Sequence, residues 1–194
     1  MKCFKKISLV ALSLMAMGCA YQIKKQTSVS VTTEAKAGGV KQILDKEAEH
    51  LSDHEKEEIK EVVLHVSEKY QMDPYLVLSV IHVESHFKPS AKSNRGALGL
   101  MQVKPVVVKE LAKRPVGDFE KQQLLKDKTF NIHVGVSYLA YLLKRFKGDV
   151  NKALMAYNAG PTTVGLYYKN RPAPEGGYQG KVLKTYRRFS EVSL

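Results

Sequence analysis

The chain has 194 residues, 44% of them hydrophobic, and a formal net charge of +12. This length suits one domain with a core of its own plus an appendage. Its two cysteines, Cys3 and Cys19, lie near the N-terminus, which excludes a disulfide, a thiol nucleophile or a cysteine metal site in the rest of the chain. The positive charge suits an anionic partner, but the lysines are scattered without interleaved aromatic residues, so we do not expect nucleic-acid binding.

Residues 1–18 have the organisation of a secretory signal peptide. Three lysines precede an uncharged, largely apolar run over residues 7–17, which is too short to span a bilayer. Cys19 follows, and this end resembles a bacterial lipoprotein cleavage site. We therefore predict lipidation of Cys19 and anchoring to a membrane by acyl chains. The alternative is ordinary cleavage and a soluble exported protein.

The composition changes twice along the rest of the chain. Residues 19–39 are rich in Thr, Ser, Val, Lys and Gly and have no helical period, so we predict a flexible tether. From residue 40 to residue 194 the pattern is that of one helical domain. Ser52 to Glu55 have the sequence of a capping box, and an apolar stripe from Ile59 to Tyr70 follows it. Asp73 and Pro74 open a second helix that ends near Phe87.

The later segments alternate between loops and helices. We predict a loop from Lys88 to Gly99 and a Pro/Gly loop from Lys169 to Gly180. Helices are predicted from near Pro105 to before Pro115, from Asn131 to Phe146, around Ala153 to Tyr157, and from Gln179 to Glu191. No segment has a sustained strand alternation, so the predicted class is all-α with functional loops.

Glu84 is the most informative residue, because it lies where the pattern predicts a buried helix face. Val77, Ile81 and Glu84 share one face of the helix that Asp73 opens. A partly desolvated carboxyl there has a raised pKa, holds a proton near neutral pH and can give it to a leaving group. The alternative is that Glu84, near the helix C-terminus, turns to water.

Two further stretches have polar side chains suited to ligand binding. Gly96 and Gly99 let the backbone approach a ligand, Met101 offers soft apolar contact, and Gln102 can both donate and accept hydrogen bonds. The alternative is an ordinary tight turn. Residues 156–161 end a helix and include Tyr157 and Asn158. Their polar groups either project into a binding site, or Tyr157 is a core residue and Asn158 a C-cap.

Histidines on either side of Glu84 invite comparison with metalloproteases, but the spacing argues against a metal site. His82 and His86 could share a metal, whereas Glu84 lies about 200° around the helix from that shared face. We therefore expect two surface histidines and no metal or other cofactor. No serine lies in a strand–turn–helix elbow, which argues against a serine nucleophile.

Four stretches together carry a family resemblance: Glu84–Pro105, Asn131–Leu142, Ala156–Pro161 and Tyr178–Phe189. In order and spacing they resemble the lysozyme-like lytic transglycosylases of bacterial envelopes, the soluble-type (SLT) domain family. The resemblance implies a goose-type-lysozyme-like helical fold with a cleft built by loops. It also implies peptidoglycan strands as substrate, cleaved between N-acetylmuramic acid and N-acetylglucosamine with formation of a 1,6-anhydro sugar.

The resemblance also implies roles for single residues. Glu84 would be the only catalytic carboxyl, acting first as acid and then as base. Ser93, Gln102, Asn158 and Tyr178 would line the cleft with Tyr157, which could also hydrogen-bond Glu84. Met101 would bind substrate or support the cleft wall.

Ala20, rather than an aspartate, follows the lipidated cysteine, so we expect a periplasmic domain anchored to the outer membrane of a diderm cell.

This sequence departs from the family pattern at two places. Lys104 replaces a common Met, and the segment before Tyr178 is one residue shorter than usual, which bears on that rim of the cleft.

Two other functions stay open: a hydrolytic lysozyme on the same scaffold, and a non-catalytic peptidoglycan-binding protein of the envelope. Protein partners are not predicted.

Overall fold

The computed structural model describes residues 34–112, 118–168, 171, 174 and 176–193. From Gly38 onward they form one compact unit. The helices are α1 (34–47), α2 (Asp53–Tyr70), α3 (Pro74–Ser85), α4 (Pro105–Ala112), α5 (Asp118–Lys126), α6 (Lys128–Arg145), α7 (Val150–Ala159), α8 (Pro161–Tyr167) and α9 (Gly177–Ser190), and a 3-10 turn (Glu191–Ser193) follows. Over these ranges the β pairing consists of isolated bridges that join Leu98 to Lys92 and to Val103.

The starts of α2 and α3 follow the local sequence. Ser52 Oγ accepts a hydrogen bond from the Glu55 amide at 3.3 Å, and Glu55 Oε2 accepts one from the Ser52 amide at 3.1 Å, which is the predicted capping box. Asp73 Oδ1 accepts from the Tyr75 amide at 2.9 Å and Pro74 takes the first helical position. α3 ends at Ser85 because His86 adopts a left-handed conformation, with φ at 50°.

Three segments differ from the sequence-based expectations. Residues 34–39, assigned to the tether, are helical, and Gly39 is buried. The helix forms there in spite of its glycines because Val40, Ile43 and Leu44, further along the same helix, are fully buried and stabilise it by packing. Helices α5 and α8 were not predicted, because both are short and neither has a clear apolar stripe.

The core is built around α3, whose residues are buried on several faces. Val77, Leu78, Val80 and Ile81 are fully buried, as expected for an apolar helix inside a bundle. α3 packs most extensively on α9, and α6 packs on α2 and α7. This arrangement sets the C-terminal turn of α3, with Glu84, against the first turn of α9. Among the described helices none is long and apolar enough to cross a membrane.

Candidate active site

A cleft of about 610 Å³ opens at the C-terminal end of α3. Its walls come from five parts of the chain: the end of α3, the loop that follows it, the helix α4, one residue of α6, and the junction of α7 with α8. The lining residues that bear polar groups are Glu84, Ser93, Asn94, Arg95, Gln102, Lys104, Glu110, Tyr138, Tyr157, Asn158 and Thr162. Volume and lining are those of a small-molecule or sugar site rather than of a flat surface.

Glu84 is a largely buried carboxyl in this cleft. Burial raises the pKa of Glu84 to about 7, while a hydrogen bond from Tyr178 and the charge of Lys104 act in the opposite direction. The Tyr178 hydroxyl donates to Glu84 Oε1 at 2.7 Å. Desolvation therefore exceeds the two stabilising contacts, and a substantial fraction of the carboxyl stays protonated at neutral pH. A group in this state can serve as a general acid and then as a base.

The hydrogen bond to Glu84 does not come from Tyr157, so that expectation is wrong. The Tyr157 hydroxyl donates instead to the Met101 carbonyl at 2.9 Å, which joins α7 to the loop after α3. Tyr178 reaches Glu84 because α9 packs along α3 and begins beside its C-terminus. Burial, with the nearby Glu84 charge, raises the pKa of the Tyr178 and Tyr157 hydroxyls well above their ordinary value.

Met101 is not placed to touch a ligand, in contrast to its assignment as a substrate-binding residue. Its side chain is fully buried. It packs against Gly135 of α6 so closely that a Cβ added there would lie 2.4 Å from Met101 Sδ. Met101 thus supports the wall from behind, and its carbonyl positions Tyr157.

Ser93 and Gln102 line the cleft, and both also hold the loop in shape. Ser93 Oγ accepts from the amides of Arg95 and Ala97 at 3.3 and 3.0 Å. Gln102 Nε2 donates to the carbonyls of Ala91 and Gly99 at 3.1 and 3.0 Å. Asn158 lines the cleft from the end of α7, where it is exposed. Of the predicted residues, Cys19 lies outside the described part of the chain.

Sequence reasoning missed the residue that supports this loop. Asn131 is buried in α6; its Oδ1 accepts from the Met101 amide at 2.8 Å and its Nδ2 donates to the carbonyls of Leu98 and Leu124 at 2.9 and 2.8 Å. Gly99 sits directly on this amide, so its small size serves contact with the protein rather than with a ligand. An asparagine inside an otherwise apolar helix stripe was the available signal.

Tyr138 and Glu110 also line the cleft without having been predicted as site residues. Burial raises the pKa of Tyr138 to about 12, with Glu110 adding to this effect. The Tyr138 and Tyr157 rings lie 5.7 Å apart between centroids. The charge of Glu110 thus bears on the pKa of Tyr138, whereas the pKa of Glu84 is lowered by the Tyr178 hydrogen bond and the Lys104 charge. Over the described residues no cluster of three or more His, Cys, Asp or Glu side chains is placed to hold a metal.

This helical fold is that of the lysozyme-like lytic transglycosylases. A Glu-to-Gln inactive mutant of the lytic transglycosylase Slt from Pseudomonas aeruginosa superposes with a TM-score of 0.59 at 25% identity over 68% of this chain and 24% of that one. The 70 kDa soluble lytic transglycosylase from Escherichia coli gives a TM-score of 0.58 at 26% identity, with the same coverage. The predicted fold class is confirmed.

The chain belongs to the Transglycosylase SLT domain family, whose model matches residues 61–178. It is 37% identical over 100 residues to membrane-bound lytic murein transglycosylase E of Buchnera aphidicola, covering 50% of this chain and 45% of that one. It is also 37% identical over 118 residues to a transglycosylase of Enterobacteria phage PRD1, covering 61% and 39%. The chain thus matches less than half the length of these relatives.

Proposed function

We propose that the protein is a peptidoglycan lytic transglycosylase anchored to the cell envelope by a lipid. The single observation that carries the activity is the largely buried Glu84 with its raised pKa, in a cleft of about 610 Å³ and with Tyr178 hydrogen-bonded to the carboxyl. Membership of the SLT family and relatives named murein transglycosylases support the same substrate.

In the proposed reaction Glu84 supplies both proton transfers. The protonated carboxyl gives its proton to the oxygen that links C1 of N-acetylmuramic acid to N-acetylglucosamine, and the C1–O bond breaks. The carboxylate then takes the proton of the muramic C6 hydroxyl, whose oxygen bonds to C1 and closes a 1,6-anhydro ring. Glu84 ends protonated, as it began. Tyr178 stabilises the carboxylate between the two transfers, because it donates to Oε1.

A hydrolytic lysozyme is the second candidate, and one observation favours it. Glu110 is a second carboxyl in the lining of the cleft, and glycoside hydrolases use such pairs. The charge of Glu110 raises the pKa of Tyr138, whereas the groups that lower the pKa of Glu84 are Tyr178 and Lys104. A carboxylate close to Glu84 would raise the pKa of Glu84 further. Because the charge of Glu110 bears on Tyr138 and not on Glu84, the site supports catalysis by a single carboxyl and hence the anhydro product.

The proposal for the envelope rests on the N-terminal sequence. The basic and apolar run over residues 1–18, followed by Cys19, supports export, lipidation and retention at a membrane surface. The name of the Buchnera relative, which includes "membrane-bound", agrees with this placement. We assign the domain to the periplasm and the anchor to the outer membrane, since Ala20 rather than aspartate follows Cys19.

Mass spectrometry of the products tests the activity. Purified protein is incubated with sacculi in heavy-oxygen water, beside Glu84→Gln and Glu110→Gln variants. We expect anhydro-muramyl products without heavy oxygen from wild type and from Glu110→Gln, and none from Glu84→Gln. Reducing ends that carry heavy oxygen and depend on Glu110 would identify a hydrolase. Retained binding to sacculi with no cleavage by wild type would favour a non-catalytic envelope protein or an enzyme that needs a partner.

A further inference from the structure

Two cationic side chains, Arg95 and Lys104, line the cleft without forming an ion pair with any described residue. Both are exposed in the open cleft. The only carboxyls among the lining residues that the structure describes are Glu84 and Glu110. Neither lies within ion-pair distance of the two cations, although the Lys104 charge is felt at Glu84. With Glu84 protonated, the cleft therefore has two positive charges and one negative charge.

The backbone that bears these cations is fixed by hydrogen bonds. Lys104 follows Val103, which exchanges two backbone hydrogen bonds with Leu98 at 3.0 and 2.9 Å. Arg95 lies in the turn from Ser93 to Ala97, where Ser93 Oγ accepts from the Arg95 amide. Both side chains are exposed, and their points of attachment lie on one hydrogen-bonded loop. Such a loop keeps two charges on the same side of the cleft at little cost in backbone order.

A sugar strand that fills the cleft displaces water from both cations. A cation that loses water without gaining a partner is costly. N-acetylglucosamine offers neutral hydroxyl and amide oxygens, which accept hydrogen bonds from a cation but compensate this loss less than a charged group does. A carboxylate on the ligand would compensate it, and a guanidinium can bind a carboxylate through two parallel hydrogen bonds.

We propose that Arg95 and Lys104 together bind a carboxylate carried by the muramyl residue of the strand, and that this contact makes the cleft select muramyl-containing strands over neutral N-acetylglucosamine polymers. The inference rests on the proposed function, since it concerns the substrate of the same site. The carboxylate has two sources. In strands stripped of peptides it is the free lactyl carboxylate, and in intact strands the lactyl group is an amide and the carboxylates belong to the attached peptide.

Binding measurements in the Glu84→Gln background test the inference without a contribution from cleavage. The ligands are peptide-bearing strands, strands stripped by an amidase, and neutral chito-oligosaccharides of matched length. We expect the Arg95→Gln/Lys104→Gln pair to bind the preferred charged strand about tenfold more weakly. Its affinity for chito-oligosaccharides should stay within about twofold, because no ion pair is lost there. The strand type that loses affinity identifies the source of the carboxylate.

A matched control removes the same charge outside the cleft. Lys144 and Lys181 are exposed and do not line the cleft, so the Lys144→Gln/Lys181→Gln pair should keep the wild-type preference. If the Arg95/Lys104 pair keeps the preference as well, or if the parent shows none, the inference is overturned. Cleavage of sacculi by the wild-type protein is measured separately. Cleavage without charge preference would overturn this inference alone, whereas absence of cleavage bears on the proposed function.

Discussion

At the scale of single residues, the pKa of Glu84 is raised by burial and lowered by the Tyr178 hydrogen bond and the Lys104 charge. Burial favours the neutral carboxyl, while the Tyr178 hydroxyl, donating at 2.7 Å, favours the carboxylate. A pKa of about 7 lets the same group donate a proton and take one back under similar conditions. A substitution that raises or lowers the pKa of Glu84 should favour one of the two proposed proton transfers and disfavour the other.

Replacing Tyr178 by phenylalanine should raise the pKa of Glu84, because the hydrogen bond that stabilises the carboxylate is lost. The alkaline limb of kcat/KM, which reports loss of the Glu84 proton in the free enzyme, should move upward by about one pH unit. The measurement is a pH–rate profile on soluble glycan strands. Tyr186→Phe is the control: it removes a hydroxyl from the same helix that faces Asp73 instead. An unmoved limb in Tyr178→Phe would contradict this assignment.

The buried carboxyl should also make stability depend on pH. The folded pKa of Glu84, about 7, exceeds the ordinary value of 4.5 for a glutamate side chain. Its neutral form is thus favoured by folding, and this contribution is complete below about pH 4.5 and lost as pH rises through about 7. Glu84→Gln should therefore gain about 3 kcal/mol in unfolding free energy relative to wild type between about pH 4 and pH 8.

Urea unfolding of both proteins across this range measures the effect. Glu61→Gln, on the exposed surface of α2, is the matched control, and its difference from wild type should be nearly flat with pH. A flat difference for Glu84→Gln as well would show that the carboxyl is solvated in the folded protein.

At the scale of elements, the cleft depends on how the loop after α3 is held against α6. Asn131 satisfies one amide and two carbonyls with a single side chain. Gly99 rests on that side chain and Gly135 admits Met101. The contacts of Asn131 with Met101 and Leu98 join residues 30 and 33 positions apart, so they fix the loop only once the helices have packed. They also place Ser93 and Gln102, whose polar atoms are largely used to hold the loop.

Gly99→Ala should destabilise the protein more than Gly96→Ala does. Both glycines have positive φ, at 73° and 75°, so both substitutions incur a backbone cost of about 1 kcal/mol. A Cβ at Gly99 would lie 2.3 Å from Asn131 Nδ2 and 2.5 Å from the Leu124 carbonyl, while Gly96 faces open space. Overpacking should add about 2 kcal/mol at Gly99.

Chemical denaturation of the two variants gives this difference directly. Cleavage activity should fall only in Gly99→Ala, because the clash displaces the loop that forms one wall of the cleft. Equal stability losses would mean that the loop can shift away from α6 without cost.

At the scale of the whole molecule, the proposed attachment of the domain to a membrane runs through the segment that precedes it. The described helices include none that could cross a membrane, and the proposed anchor is the acyl chains at Cys19. Because a chain with two or more acyl groups stays bound to a bilayer, the site of cleavage in the envelope would be set by this anchor. Cleavage itself would be a property of the domain.

Cys19→Ala should separate the two properties. In cells that process lipoproteins, the wild-type protein is expected in the membrane fraction and in the detergent phase after phase partitioning, and the variant in the soluble fraction. Both purified proteins should cleave isolated strands at similar rates, since Cys19 lies far outside the matched residues 61–178. Equal detergent-phase partitioning would refute lipidation at this cysteine.

Much of this protein was readable from local patterns. The caps at Ser52 and Asp73 and the apolar spacing of α2, α3 and α6 depend on neighbours a few residues apart, so the helical class and the placement of Glu84 on a buried face could be predicted. The ordered motifs indicated the family, which the comparisons confirm. Short helices without a stripe, α5 and α8, could not be predicted, because tertiary packing rather than local propensity forms them.

The tertiary structure alone decided which hydroxyl meets the carboxyl. Tyr157 and Tyr178 are both aromatic residues near helix ends, and nothing local distinguishes them; the packing of α9 on α3 brings Tyr178 to Glu84, and that of α7 against the loop brings Tyr157 to Met101. The same holds for the burial of Met101 and for the entry of Glu110 into the cleft lining. Short-range pattern in the sequence determined most of the helices and the position of Glu84 on a buried face, whereas long-range packing determined the partners that set the pKa of Glu84.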